Sequence, residues 1–433
     1  MSELKNIGYS NKIFYYNGVG ETNSFDFCAV AKLKEELDKK AFEKAVGKAL
    51  EFFPEFAFRP VIKDNKLYAE ENRADIKVLE EEKVYSLGSS DTGGYLFCFL
   101  YKDKRLQMSF FHGLSDFAGF LSFFGTIVFL YAKELGLDLC PIRGMRKSLD
   151  EYYAIPEAER LDPYSCFMAE KYEAKKPKDI KEICEIDVPL FGLDSDVNKN
   201  YDIVFNQKAL SEAIKKHNTS FTAFIISLIS KAVRSIAKDS EKTVRVKLPA
   251  NIRKLFSSSS LVNFSDSLII EQEADIYKFD DMCKDVREKI DESLKPEYFA
   301  LKMRQKSERV KEYEKSGKAI EKIAEETAKE GYLKNTRPVT YSLSTLGDIT
   351  LPEDYGVLIE SLGFEPHLPT ENVFILILTY GGRTVLRLCQ RFESDILAKQ
   401  IALELKSMGI ETEVEDRGYT RGNKVIIENI KHI

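Results

Sequence analysis

Along Arg105 to His112 polar and apolar positions alternate, and after Asp116 the apolar positions recur at helical spacing. The first pattern predicts a strand with Leu106, Met108, Phe110 and His112 on one face. The second runs through Phe117, Phe120, Leu121, Phe124, Val128 and Tyr131 and predicts a long helix with Ser115 or Asp116 as its N-cap. A carboxylate at that cap is also favoured by the helix dipole. The His112 imidazole therefore points the same way as an apolar row, toward an interior. Read locally, the stretch fits a satisfied core histidine beside a capping aspartate better than a catalytic base, because so short a motif often matches by chance.

The same test lays out the rest of the chain. Ser24 to Leu33 reads as a strand. Asp38 opens a helix through Phe42, Ala45, Val46, Ala49, Leu50 and Phe53, which Pro54 stops. Phe56 to Val61 and Lys66 to Ala69 read as strands around Lys63-Asp64-Asn65, and Tyr95 to Tyr101 pairs with Arg105 to His112 around Lys102-Asp103-Lys104. Residues 140 to 200 fit no period, contain Pro141, Pro156, Pro163 and Pro177, and read as a crossover with short helices. In the second half Tyr201 to Phe205 is a strand, Asn206 caps a helix through Lys216, and Ser220 caps a strongly periodic helix from Phe221 to Ile236. Strands follow at Val244 to Leu248 and Ser267 to Glu271. Residues 296 to 330 read as a solvated surface helix pair. After a strand at Val339 to Ser344, Val373 to Tyr380, Gly381-Gly382 and Thr384 to Gln390 make the clearest hairpin. A helix from about Ser394 to Met408 closes the domain. This order lacks the regular rhythm of a doubly wound sheet and predicts mixed sheets with helices packed on them.

Length and composition narrow the function classes. A chain of 433 residues suits two domains, taken here as 1–185, with His112, and 186–433. With 44% hydrophobic and 31% charged residues it reads as a soluble globular protein. A net charge of −6 offers no basic footprint for nucleic acid. Met1-Ser2-Glu3-Leu4-Lys5 lacks a signal-peptide layout, and Phe117 to Ala132 is shorter than the roughly 20 residues of a membrane span. Seven dispersed cysteines without a CxxC pair predict reduced thiols and a cytoplasmic protein. His217 in a polar turn, His367 beside Pro366 in a loop and His432 next to the C-terminus read as exposed. His112 and Asp116 have no third ligand nearby, so no metal is expected. No Gly-x-Ser-x-Gly elbow or phosphate-binding glycine loop is present.

Phe111-His112-Gly113-Leu114-Ser115-Asp116-Phe117, between a strand and a helix, resembles the His-His-x-x-x-Asp-Gly hallmark of the CoA-dependent acyltransferase superfamily. That superfamily includes chloramphenicol acetyltransferase, the alcohol acetyltransferases and the condensation domains of peptide synthetases. Other landmarks stand in the family's order: Phe52-Phe53-Pro54, Lys216-His217-Asn218-Thr219-Ser220, Asn251-Ile252-Arg253, Val262-Asn263-Phe264 and Tyr341-Ser342-Leu343-Ser344-Thr345-Leu346-Gly347. The resemblance implies an α/β fold of two similar chloramphenicol-acetyltransferase-like domains, each a mixed sheet with helices, with a tunnel between them. It implies acetyl-CoA or another acyl-CoA as co-substrate, no metal, and a small-molecule acceptor with a hydroxyl or amine. A carrier protein is the alternative donor.

By position His112 is then the general base. Asp116 is structural and pairs with Arg253. Ser344 or Thr345 is a candidate oxyanion or substrate contact, and Phe117 and Asn263 are candidate tunnel lining. Two departures stand out: Phe111 replaces the first histidine and Phe117 the glycine. A phenylalanine at 117 narrows the tunnel or reshapes its acceptor side, or marks a binding protein that keeps the scaffold without the activity.

Overall fold

The alternating runs pair into three sheets in the computed structural model, which describes residues 4–19, 25–81, 83, 85–168, 182–191, 197–333, 339–349, 351–367 and 372–429. A five-stranded sheet has the order Ile359–His367, Asp26–Leu33, Arg105–Phe111, Phe97–Lys102, Val78–Glu80. A seven-stranded sheet has the order Ser265–Gln272, Val244–Asn251, Tyr341–Asp348, Val373–Tyr380, Arg383–Gln390, Val197–Asn206, Thr412–Arg421. Lys5–Asn6, Lys66–Glu71, Phe58–Lys63 and Glu428–Asn429 form a smaller third sheet. Each sheet mixes parallel and antiparallel pairs, giving the mixed α/β architecture that the pattern predicts.

Strand Val373–Tyr380 explains how the two cores meet. It is apolar at nearly every position because both of its faces are buried. Phe374, Leu376 and Leu378 pack into the core of the five-stranded half, while Val373, Ile375 and Ile377 pack into the other. Helices Phe221–Ile236 and Ile396–Ser407 fill that second core.

The expected caps form. Asn206 Oδ1 accepts from the amides of Lys208 and Ala209, and Asp38 Oδ1 accepts from that of Ala41. The tight turns at Asp64-Asn65 and Asp103-Lys104 take positive φ, as two-residue hairpin loops require. All seven cysteines are free thiols.

Four readings need correction. Residues 9–18 form a helix, α1 (Tyr9–Gly18), which periodicity did not flag. His367 ends a strand, Ile359–His367, that crosses back to pair with Asp26–Leu33 in the five-stranded sheet. The helices at 296–330 are not simply solvated: Phe299, Met303, Val310, Ile320 and Ile323 are buried. The last helix does not close the chain, because an edge strand follows it and Glu428–Asn429 pairs with Phe58–Lys63. His432 and most of the segment around Pro177 lie outside the described residues.

Candidate active site

The site forms where the first sheet ends. Helix α2 (Lys39–Phe52) precedes it in the chain, and helix α3 (Phe117–Glu134) begins directly after it. The strand Arg105–Phe111 stops one residue before His112, whose amide donates to the Phe25 carbonyl at 2.7 Å. Two aromatic rings then fix the imidazole. Phe14 of α1 stacks on it with centroids 4.3 Å apart, and Phe27 meets it edge-on at 5.6 Å. The histidine remains half-buried rather than sealed in packing.

Its polar partner comes from the other half of the chain. His112 Nδ1 lies 2.9 Å from Asn263 Oδ1, and Asn263 Nδ2 donates back to the His112 carbonyl at 2.7 Å. With its nitrogen on a carbonyl, the Asn263 amide must present its oxygen to Nδ1. The proton therefore sits on Nδ1 and the lone pair on Nε2. Burial pushes the His112 pKa below its usual value, against opposing pulls from its own carbonyl, Asp116 and Asn263. The neutral imidazole, the form that can accept a proton, is therefore the resting form near pH 7.

Asp116 does not touch the imidazole through any hydrogen bond. Its Oδ1 caps α3 by accepting from the Ala118 amide at 3.1 Å. Its Oδ2 accepts from Arg253 Nη1 at 2.8 Å and from the Phe264 amide at 2.9 Å. Arg253 also donates to the carbonyls of Ser260 at 2.6 Å and Val262 at 2.7 Å. Ser115 Oγ donates to the Leu261 carbonyl. The turn carrying His112 is thus tied to segment 260–264 of the second half at Leu261, Asn263 and Phe264. Gly119 permits the approach: a Cβ there would fall 2.1 Å from both the Leu261 carbonyl oxygen and Ser115 Oγ.

Among the described residues, the remaining predicted residues make no hydrogen bond or ring contact with His112 itself. The Phe117 ring packs against Phe364, Phe120 and Phe27 at 5.0, 6.1 and 6.4 Å, one ring removed from His112. Ser344 and Thr345 are half-buried on strand Tyr341–Asp348, beside its bulge between Thr345 and Gly347. Among the described residues neither is hydrogen-bonded to His112 or Asn263. Along α3, a cleft of about 660 Å³ is lined by Ser122, Met145, Arg146, Glu159, Ser259 and Leu261. Asn11, Phe14 and Gly119 were missed from sequence. A glycine inside an apolar helix costs about 1 kcal/mol against alanine, which signals a packing reason for Gly119. No comparable signal marks Asn11.

No family profile matches the chain. A search of curated proteins finds no match either. Solved structures do match over nearly its whole length. F. graminearum TRI101 complexed with coenzyme A and deoxynivalenol aligns with a TM-score of 0.64 at 12% identity, covering 95% of this chain and 100% of that one. Polyketide synthase associated protein 5 from Mycobacterium tuberculosis aligns at 0.59 and 13% identity, covering 94% and 99%. The starter condensation domain of rhizomide synthetase, in complex with C8-CoA and Leu-SNAC, aligns at 0.57 and 12% identity, covering 94% and 93%. By architecture, then, the chain shares the fold of TRI101, polyketide synthase associated protein 5 and the condensation domains.

Proposed function

We propose that the protein is an acyltransferase that moves an acetyl or other short acyl group from acyl-CoA to a hydroxyl or amine of a small acceptor. The observation that carries this reading is the His112–Asn263 bond. It leaves a neutral imidazole with its proton on Nδ1 and its lone pair on Nε2, held by a residue from the other half of the chain. The fold adds support, since similar structures hold coenzyme A or an acyl-CoA together with a second small molecule.

In this mechanism Nε2 takes the proton of the acceptor O–H or N–H as that atom attacks the thioester carbonyl. A tetrahedral intermediate forms and its oxyanion needs a donor. We assign that donor to Ser344 or Thr345, whose hydroxyls have no side-chain partner among the described residues. The imidazolium then returns the proton to the departing thiolate, and the C–S bond breaks. Asp116 and Arg253 hold the turn and take no proton. Acceptor and donor must reach His112 through a passage, as the family resemblance implies. A reducing, cytoplasmic setting completes the reading.

The test is thioester cleavage with acetyl-CoA and a panel of alcohols and amines, wild type against His112→Ala. Acceptor-dependent release of CoA that the variant lacks is the expected result. Equal background cleavage by both proteins with every acceptor would refute the enzyme reading and leave a binding protein. Transfer only from a loaded carrier protein would move the donor to a condensation-like thioester.

A further inference from the structure

Two segments distant in sequence converge on one small amide, that of Asn11 in α1. Asn11 Oδ1 accepts from the Asn263 backbone N–H at 3.1 Å and from Asn263 Nδ2 at 2.9 Å. At its other end Asn11 Nδ2 donates to the Leu114 carbonyl, in the turn after His112, at 3.2 Å. Both asparagines are almost fully buried. The backbone groups at the two ends cannot exchange roles, because an N–H only donates and a carbonyl only accepts. They fix which end of Asn11 is oxygen. That oxygen requires nitrogen on the facing side of Asn263, as the His112 carbonyl also does, and the two together place Asn263 Oδ1 on His112 Nδ1.

We infer that Asn11 is a positioning residue for His112: it locks the Asn263 amide and thereby holds the imidazole as the Nδ1-protonated tautomer with Nε2 free. The inference rests on the acyltransferase reading only for the use made of Nε2. The lock itself is a property of the resting protein. Phe14, one turn along α1 on the same side, stacks on the ring that Asn11 orients indirectly. Helix α1 therefore supplies both a polar and an aromatic constraint. Without Asn11 the Asn263 N–H is left buried and unpaired. Its side-chain amide then keeps only the His112 carbonyl to hold its orientation. Rotating it to satisfy other groups gives up that bond, presents a donor to Nδ1 and shifts the ring proton to Nε2. A ring protonated at Nε2 cannot accept the acceptor's proton there.

The experiment reads the tautomer directly, by two-bond ¹⁵N–¹H correlation on histidine-labelled full-length protein at about pH 8, where a histidine of ordinary pKa is neutral. The chain has four histidines, so assignment by His112→Gln is straightforward. Wild type is expected to show His112 protonated at Nδ1. Asn11→Ala is expected to show a mixed or Nε2-protonated ring. Its kcat should fall roughly tenfold with KM little changed, about the rate equivalent of one buried hydrogen bond. Asn11→Asp keeps the oxygen that accepts from Asn263 while losing the donor to the Leu114 carbonyl, and is expected to hold the wild-type tautomer at a cost in stability.

If Asn11→Ala gives no folded protein, Asn11→Ser decides, since its short hydroxyl cannot span the same partners. An Nε2-protonated ring in wild type overturns the inference. So does a wild-type tautomer in the folded Ala variant (or the Ser variant). A tautomer shift in a protein with no transfer activity would uphold the lock while removing the acyltransferase reading.

Discussion

Replacing Arg253 by methionine tests the joint that ties the His112 turn to the second half. The side chains of Arg253 and Asp116 are 10% and 5% exposed, so the pair lies in the interior. Methionine matches the aliphatic length and removes the guanidinium. The carboxylate then keeps only the Ala118 and Phe264 amides, at 3.1 and 2.9 Å. The carbonyls of Ser260 and Val262 lose their donors as well. Removing one partner of a buried pair costs about 3–5 kcal/mol, because the charge left behind is uncompensated. The two carbonyls keep the value from falling to the low end.

Urea unfolding followed by far-UV circular dichroism measures this, since the chain contains no tryptophan. A cycle with Asp116→Asn isolates the pair. The double variant should be more stable than the sum of the singles by about 2 kcal/mol or more, within the range seen for residues in one network. A loss under about 1 kcal/mol, the range of exposed pairs, would show that the pair is not the joint. A cycle that closes additively would say the same.

Further outcomes follow from the site and from the helices beside it. Because burial lowers the His112 pKa, the neutral base persists to lower pH, and kcat/KM should fall only below about pH 6.5. Asn263→Asp puts a carboxylate against Nδ1, favours the imidazolium and moves that acid limb up by about one to three pH units. A limb already above pH 7 in wild type, or unmoved in the variant, counts against His112 as the base. Gly119→Ala drives a methyl into the Leu261 carbonyl and should destabilise by about 1–3 kcal/mol in the same unfolding assay. Gly47→Ala, on an exposed face of α2 with nothing near its added methyl, should stabilise by up to about 1 kcal/mol. Equal effects at the two glycines would contradict the packing described at Leu261.

The strand–turn–helix around His112 was legible because the apolar period changes within five residues and a capping aspartate marks the change. The helices opened by Asp38, Asn206 and Ser220 were legible for the same reason. Helix α1 was not. Its Ser10, Asn11 and Lys12 are buried along with Ile13, Tyr15 and Tyr16, so it has no polar face to reveal a period. Strand Ile359–His367 was hidden differently. It carries Gly363 and Pro366, and its partner lies more than three hundred residues earlier.

At the site, the pairing of Asp116 with Arg253 was reached through a family resemblance, since nothing local links residues 137 apart. The hydrogen bonds of Asn263 and Asn11 left no trace in sequence: Asn263 enters only as candidate tunnel lining through the family resemblance, and Asn11, beside Ser10 and Lys12, looks the same whether it faces water or a buried partner.

The crossing strand Ile359–His367 has a practical consequence for dissecting this protein. A fragment ending near residue 185 would leave Asp26–Leu33 with one whole side of bare amides and carbonyls, an invitation to self-association. The complementary fragment would carry that orphan strand with no sheet to join. Cutting the gene at its midpoint therefore would not yield two portable modules, and swapping halves between relatives would have to move residues 359–367 together with the N-terminal portion.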